Sequence, residues 1–485
     1  MCFTCAQSVA LGAAADHCLC GAPETQAAFR RIEADLTRRA LIGGTAAILG
    51  LFAGFGLAPR EVWPQEPGRP LLLTNLRLFD GDSTTIREGI DVLIEGSRIA
   101  ALPREGDGPD EAQRIDCGGR TVLPGLIDAH WHATLCAVNQ LVALTGDPAL
   151  VHLIAGQQAG ATLMRGFTTV RDVGGPAFGL KTAVDRGIVA GPRIFPSGAM
   201  ISQTAGHGDF RLLNEVPRMP GTPASHIEQQ GVAAIADGAD MVLRAAREQL
   251  MKGASQIKIM AGGGVSSLYD PLDATQFTLA EMRAAVAAAE DWGTYVCAHV
   301  YTPGGIRRSI EAGVKSIEHG QLADEETAML MADNDVWWSI QPFLDDEDAN
   351  PKPDPIQRAK QIEVAQGTER AFELADRHGV KLAFGTDILF NAAGTASQGR
   401  QLAKFARFMS PLEALRTATG AAGELLALSG ARAPYPGRLG VIAEGALADL
   451  LVVDGDPEAE LDWLDDPQST LRLIMKDGRI AKNTL

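Results

Sequence analysis

The sequence predicts an α/β protein: a (β/α)8 TIM barrel joined to a small β-sandwich built from both ends of the chain. Three observations lead there. Eight apolar, strand-like runs (residues 122–128, 168–173, 193–197, 256–260, 295–300, 315–319, 336–341 and 381–387) alternate with helix-like periods, as in a parallel sheet with crossover helices. Short strand-like segments flank this array on both sides, and neither set can bury a core alone. Several runs also end in a residue able to bind a metal, where a barrel presents its catalytic side chains.

With 485 residues, 46% of them hydrophobic, the chain can bury a large core. A formal net charge of -17 argues against a nucleic-acid partner, because phosphate backbones are bound through a surplus of Lys and Arg. Cys2, Cys5, Cys18 and Cys20 crowd the first twenty residues beside His17, while Cys117, Cys136 and Cys297 stand apart, so no disulfide framework is implied. The crowded four could hold zinc or iron, or could belong to an unstructured leader.

Residues 1–60 read as that leader. Arg38-Arg39 precedes an uncharged run over 40–59, which resembles a twin-arginine (Tat) signal that exports folded proteins to the periplasm. The run is also about long enough to span a bilayer, and no A-x-A cleavage site lies between Arg39 and Arg60, so an uncleaved membrane anchor is the rival reading.

Residues 64–70 form a Pro- and Gly-containing linker. Beyond it, 71–79 and 90–94 alternate like strands around Asp80-Gly81-Asp82, and the tail offers 448–455 and 471–481 with the turn Asp477-Gly478. The predicted division is therefore 61–122 with 434–485 as a composite sandwich, and 123–433 as the barrel. Capping boxes at Thr278-x-x-Glu281 and Ser410-Pro411-x-Glu413 open helices, and a helix over 369–378 stops at Gly379. Long loops follow the third, fourth and seventh runs (201–226, 261–276 and 343–355). The last carries Asp345, Asp346, Glu347, Asp348 and three prolines, as a substrate-selecting lid or a merely solvated loop would.

The chemistry concentrates at the run ends. Leu126-Ile127-Asp128-Ala129-His130-Trp131-His132 places two imidazoles two residues apart, on one face of a strand, where they can grip one metal. Lys258 in Gln256-Ile257-Lys258-Ile259-Met260, His299 in Val296-Cys297-Ala298-His299, His319 in Ser316-Ile317-Glu318-His319 and Asp387 in Phe384-Gly385-Thr386-Asp387 follow. Lys258 faces opposite to Ile257 and Ile259 and so toward the barrel axis. A bare ammonium is costly there; reaction with carbon dioxide would turn it into an anionic carbamate able to bridge two cations.

In this order the motifs resemble the amidohydrolase superfamily, in particular its binuclear branch with a carboxylated lysine, which includes Xaa-Pro and Xaa-Arg dipeptidases and an ochratoxin-hydrolysing amidase. The resemblance covers roughly residue 71 to the C-terminus. It implies that His130, His132 and Asp387 hold the more buried of two divalent metal ions, His299 and His319 the more exposed one, and carboxylated Lys258 lies between them. Imidazole and oxygen ligands suit zinc, with manganese, cobalt and iron as alternatives. A hydroxide shared by the metals would attack an amide carbonyl while Asp387 carries the proton to the leaving nitrogen. The substrate class is a small amide or peptide with a nearby free carboxylate: a dipeptide, an N-acyl amino acid or an ochratoxin-like amide. A homo-oligomer is implied as well.

Two further residues enter as catalytic or binding candidates. His207, in Gly206-His207-Gly208, could hydrogen-bond a developing oxyanion or simply order its loop. Tyr301 shares a strand face with His299 and could bind a substrate carboxylate or carbonyl, or only pack at the mouth. His152, His226 and His378 read as locally satisfied, and Arg171 with Asp172 as an ion pair holding the mouth. Gly262-Gly263-Gly264 reads as a close backbone approach to the metal site, since no phosphate-loop lysine accompanies it. Two readings stay open beside the leading one: a mononuclear cyclic-amide hydrolase or deaminase resembling imidazolonepropionase, and a catalytically silent, membrane-tethered binding protein.

Overall fold

The computed structural model describes residues 69–216, 221, 223–267 and 269–485. The twin-arginine leader and Cys2, Cys5, Cys18 and Cys20 lie outside the described residues. Among the described residues no helix is long and apolar enough to cross a membrane.

Both ends of the described chain enter one sheet. Its N-terminal strands are β1 (Leu71–Phe79), β2 (Ile86–Arg87), β3 (Val92–Glu95), β4 (Arg98–Ala101) and β5 (Gln113–Pro124). The expected first barrel run, 122–128, is in fact shared between two strands. Pro124 closes β5, and β6 (Leu126–Trp131) begins the barrel. Proline ends a ladder because it has no N–H. Gly125 then turns the chain where a Cβ would collide with Thr168, and its N–H reaches the Asp449 carbonyl at 2.8 Å.

The barrel proper follows with β7 (Phe167–Asp172), β8 (Arg193–Pro196), β9 (Met200–Ser202), β10 (Ala233–Ile235), β11 (Ile257–Met260), β12 (Val296–Val300), β13 (Ser316–His319), β14 (Trp337–Ile340) and β15 (Leu382–Phe384). All pairings among these strands are parallel. Strands β9 and β10 lie in the stretch after the third run and extend the sheet, which was not expected from the sequence. The three-stranded β6-β7-β8 sheet meets the larger sheet on both sides: Ser255 N–H donates to the Pro196 carbonyl at 2.8 Å, and Asp387 N–H donates to the His130 carbonyl at 2.9 Å. These bonds close the ring.

Helices start and stop where their caps dictate. Thr278 with Glu281 and Ser410 with Glu413 form reciprocal capping boxes, as the sequence predicts. The helix expected over 369–378 begins much earlier and runs over Pro355–His378, with Asp354 as its cap and left-handed Gly379 as its stop. Strand residues alternate between cores: Ile257 and Ile259 pack among the helices, while Lys258, buried between them, turns to the axis and lines the cleft at the barrel mouth.

The tail returns as β16 (Leu450–Val453), β17 (Leu471–Lys476) and β18 (Arg479–Asn483), and β16 pairs antiparallel with β5. Leu450 and Val452 face the core of this end sheet, whereas Leu451 and Val453 join the barrel core. Period-two alternation thus makes one strand serve two cores, each such side chain contributing about 1.5–3 kcal/mol over exposure.

Candidate metal centre

His130, His132, Lys258, His299, His319 and Asp387, drawn from five barrel strands and the turns beyond them, are brought together in one cleft enclosing about 1140 Å³, its open mouth included. All six are largely buried. His130, His319 and Asp387 form the tightest set, with ligand atoms within 4.8 Å of one another. This set combines residues that the sequence reading divides between two metals.

Each histidine has one ring nitrogen occupied by the protein. His130 Nδ1 lies 2.7 Å from Glu318 Oε2, His132 Nδ1 lies 2.8 Å from the Gly174 carbonyl, His299 Nε2 lies 3.2 Å from the Gly263 carbonyl and His319 Nδ1 lies 2.7 Å from Gln341 Oε1. These partners are acceptors, so each imidazole donates that N–H; the other nitrogen is left for a cation in His130, His299 and His319, while that of His132 is hydrogen-bonded to Asp387. This is how metal-ligating histidines are oriented. The donor set therefore fits divalent cations. The Nε2 atoms of His130 and His132 converge on Asp387 Oδ1, at 3.3 and 3.2 Å.

Asp387 is held in place by its backbone. It adopts a left-handed φ of 52°, and Gly385, two residues before it, lies where a Cβ would run into His130. Thr386 between them donates its hydroxyl to Asp128 Oδ2 at 2.8 Å, and Asp128 also accepts from Gln398 at 3.0 Å and from the His130 N–H at 3.1 Å. His319 is left-handed too, at 74°. Two strained ligand candidates at one rim show that neighbouring strands over-determine this geometry.

Electrostatics reinforce it. Burial alone would raise the Asp387 carboxyl, but His130, His132 and His319 outweigh it and hold the group well below the usual carboxylate range. Burial drives the Lys258 ammonium down, against the pull of Glu318 and Asp387. Burial likewise lowers His299 and His319, leaving them neutral and able to ligate.

Beneath the rim lies a network that sequence reasoning missed. Arg171 does not pair with Asp172 as expected; its Nη2 reaches both Glu318 oxygens at 2.8 and 2.7 Å, and its Nε donates to the Ala129 carbonyl. Asp172 instead accepts the Ala133 N–H at 2.7 Å and is pushed up to about 6, mainly by burial. Consecutive strand residues point to opposite faces, so Arg171 and Asp172 cannot meet. A charge inside an otherwise apolar run was the available signal, because a buried charge needs a partner.

His207 stacks on His299 with ring centroids 4.1 Å apart, and its Nδ1 lies 2.8 Å from Ser267 Oγ. Tyr301 is buried with its ring 5.2 Å from His299 and 5.1 Å from His319. Both line the cleft. A Cβ on Gly264 would strike the His207 ring, which gives the glycine run its physical reason. His152 and His226 are exposed away from the cleft, and His378 pairs with Glu325 at 3.4 Å. Cys117, Cys136 and Cys297 are free and buried.

A closed parallel barrel with candidate metal-binding donors gathered where its strands end is the arrangement of a metal-dependent enzyme. Comparison with known proteins narrows the class: the sequence profile of the Amidohydrolase family matches residues 121–482, and the chain belongs to that family. Ochratoxinase of Aspergillus niger is 31% identical over 420 residues, covering 84% of this chain and 85% of the relative. A solved prolidase complexed with N-methylphosphonate-L-proline is 38% identical with a TM-score of 0.77, covering 85% of this chain and 100% of the other. A solved Xaa-Pro dipeptidase with methionine bound in its active site is 30% identical with a TM-score of 0.74, over 85% and 100%. The protein is accordingly a hydrolase of amide or peptide bonds.

Proposed function

We propose that this amidohydrolase uses two divalent cations, zinc being the expected ion, to cleave the amide bond of a dipeptide, an N-acyl amino acid or an ochratoxin-like amide whose leaving side carries a free carboxylate. His130, His132 and Asp387 would hold one cation, His299 and His319 the other, and Lys258 would join both as a carbamate. One observation carries the reading: four imidazoles, each fixed through one ring nitrogen by a protein acceptor, meet Asp387 and Lys258 in the same cleft. Lys258 supports it, since its side chain is buried and among the described residues no hydrogen bond reaches its Nζ. Carboxylation would remove that cost.

Cations bound there supply a Lewis acid that acidifies water and polarises the scissile carbonyl. Asp387, kept ionised by its imidazole neighbours, takes the proton of the attacking water and passes it to the leaving nitrogen. His207 offers its Nε2 to the developing oxyanion, with Nδ1 engaged by Ser267. Tyr301 walls the same space. Ligands of two relatives favour the carboxylate: N-methylphosphonate-L-proline and methionine are both amino-acid acids. In the first, the phosphonate on the proline nitrogen puts the carboxylate on the leaving side.

We further propose export through the Arg38-Arg39 leader to the periplasm, with a membrane anchor as the alternative, and a homo-oligomeric assembly. The deciding experiment combines metal analysis with hydrolysis of Ala-Pro, Ala-Phe, N-acetyl-L-phenylalanine and ochratoxin A by wild type, Lys258→Ala and Asp387→Asn. Two metals per chain and activity lost in both variants are expected. Activity that survives both changes refutes the mechanism, and one metal with unmodified Lys258 turns the reading to a mononuclear enzyme.

A further inference from the structure

Three cations line the cleft: Lys258, Lys352 and Lys404. Lys258 lies among the ligand candidates. Lys404 is spent on the rim acids, 2.8 Å from Asp346 and 2.8 Å from Asp348. Asp348 is further tied to Arg400 at 2.6 Å, and Asp345 to Arg358 at 2.6 Å. The acidic stretch is thus a pinned strap whose lining carboxylates are already neutralised. Lys352 is the exception. It is half-buried, and among the described residues no carboxylate or other acceptor meets its Nζ.

The backbone that carries Lys352 is rigid. Pro351 and Pro353 flank it, which restricts φ on both sides and keeps Lys352 itself extended. Asn350 turns the chain with a left-handed φ of 47°. Gln361 clasps the turn from the following helix: its Oε1 accepts the Lys352 N–H at 3.1 Å, and its Nε2 donates to the Ala349 carbonyl at 2.6 Å. Asp354 then caps that helix at the Ile356 N–H, 2.9 Å away. An ammonium carried on so fixed a backbone, partly desolvated and without an anion, lacks a partner that a ligand can supply. Phe210, Val265, Phe343 and Leu344 in the same cleft offer apolar contact for a side chain.

We propose that Lys352 is the specificity residue that receives the free carboxylate of the substrate's leaving amino acid. This rests on the hydrolase reading above and adds its selectivity: acids are accepted and the corresponding carboxamides are not. Burial draws the ammonium below its ordinary range, with the charge of Asp387 opposing that shift. A bound carboxylate stabilises the charged form further.

The test compares Ala-Pro, Ala-Phe and N-acetyl-L-phenylalanine with the same three compounds bearing a terminal carboxamide, using full-length wild type, Lys352→Met and Lys352→Arg. Wild type is expected to favour acids by about 10- to 100-fold in kcat/KM, the worth of a charged hydrogen bond. In Lys352→Met that ratio falls toward unity through a raised KM for the acids, and Lys352→Arg keeps part of it. Lys352→Gln replaces the methionine variant if the latter fails to fold. An unchanged acid-to-carboxamide ratio in an active neutral variant overturns the assignment alone. A wild type that hydrolyses none of the acids removes the proposed substrate class, and the assignment with it.

Discussion

Glu318 Oε2 stands 2.7 Å from His130 Nδ1, and the same carboxylate takes both contacts from Arg171 Nη2. A buried arginine, a buried acid and a candidate ligand imidazole thus form one chain that ends at the cleft. Burial would raise the Glu318 carboxyl, but Arg171 and His130 keep it well below its ordinary range. An ionised Glu318 fixes which nitrogen of His130 carries the proton and strengthens the other as a donor.

Glu318→Gln should therefore weaken metal binding by about 10- to 100-fold while the fold persists. Chelator competition on the purified protein measures this. Metal affinity equal to wild type would show that His130 needs no such partner.

Arg171→Met should cost about 3–5 kcal/mol of stability, because it strands the Glu318 charge in the interior. Denaturant titration reads the loss. The double change with Glu318→Gln should recover part of it, and strictly additive losses would contradict the pairing.

Gly264→Ala should displace His207, whose ring occupies the space of the new Cβ. If His207 serves the oxyanion, kcat falls by about 10²–10³-fold, as when one such donor is removed. His207→Ala should lose as much, and the two changes together no more. Additive losses would assign Gly264 another task.

The strap should loosen in acid. Asp348 is held at about 2, first by its hydrogen bond from Arg400 and then by Lys404. Its unfolded value is about 3.9, so the folded value is depressed; its stabilisation is complete above about pH 4 and is lost as pH falls toward 2. Hydrogen exchange over residues 343–354, corrected for intrinsic rates, should show protection lost across that window. Asp348→Asn should be weakly protected throughout, and an unaltered pH profile in that variant would dismiss the ion pairs as the fastening.

Much of this protein is written locally. Lys258 between Ile257 and Ile259 must face opposite to its neighbours, and His130 and His132 must share a face, whatever the remainder of the chain does. The capping residues Thr278, Glu281, Ser410 and Glu413 and the stop at Gly379 act within one or two turns, so they could be read directly. The boundary between β5 and β6 was misplaced because 122–128 is apolar throughout, and Gly125 reveals its role only against Thr168.

The sequence by itself determined the fold class, the strand-ended ligand candidates and the direction each side chain takes from its own backbone. Tertiary structure alone decided the partners: Arg171 with Glu318, His132 with Gly174, Asp387 with His130, and, among the described residues, none for the Lys352 ammonium. Backbone periodicity is a property of neighbouring residues, whereas the partner of a charge is set by barrel closure, which joins positions tens to hundreds of residues apart.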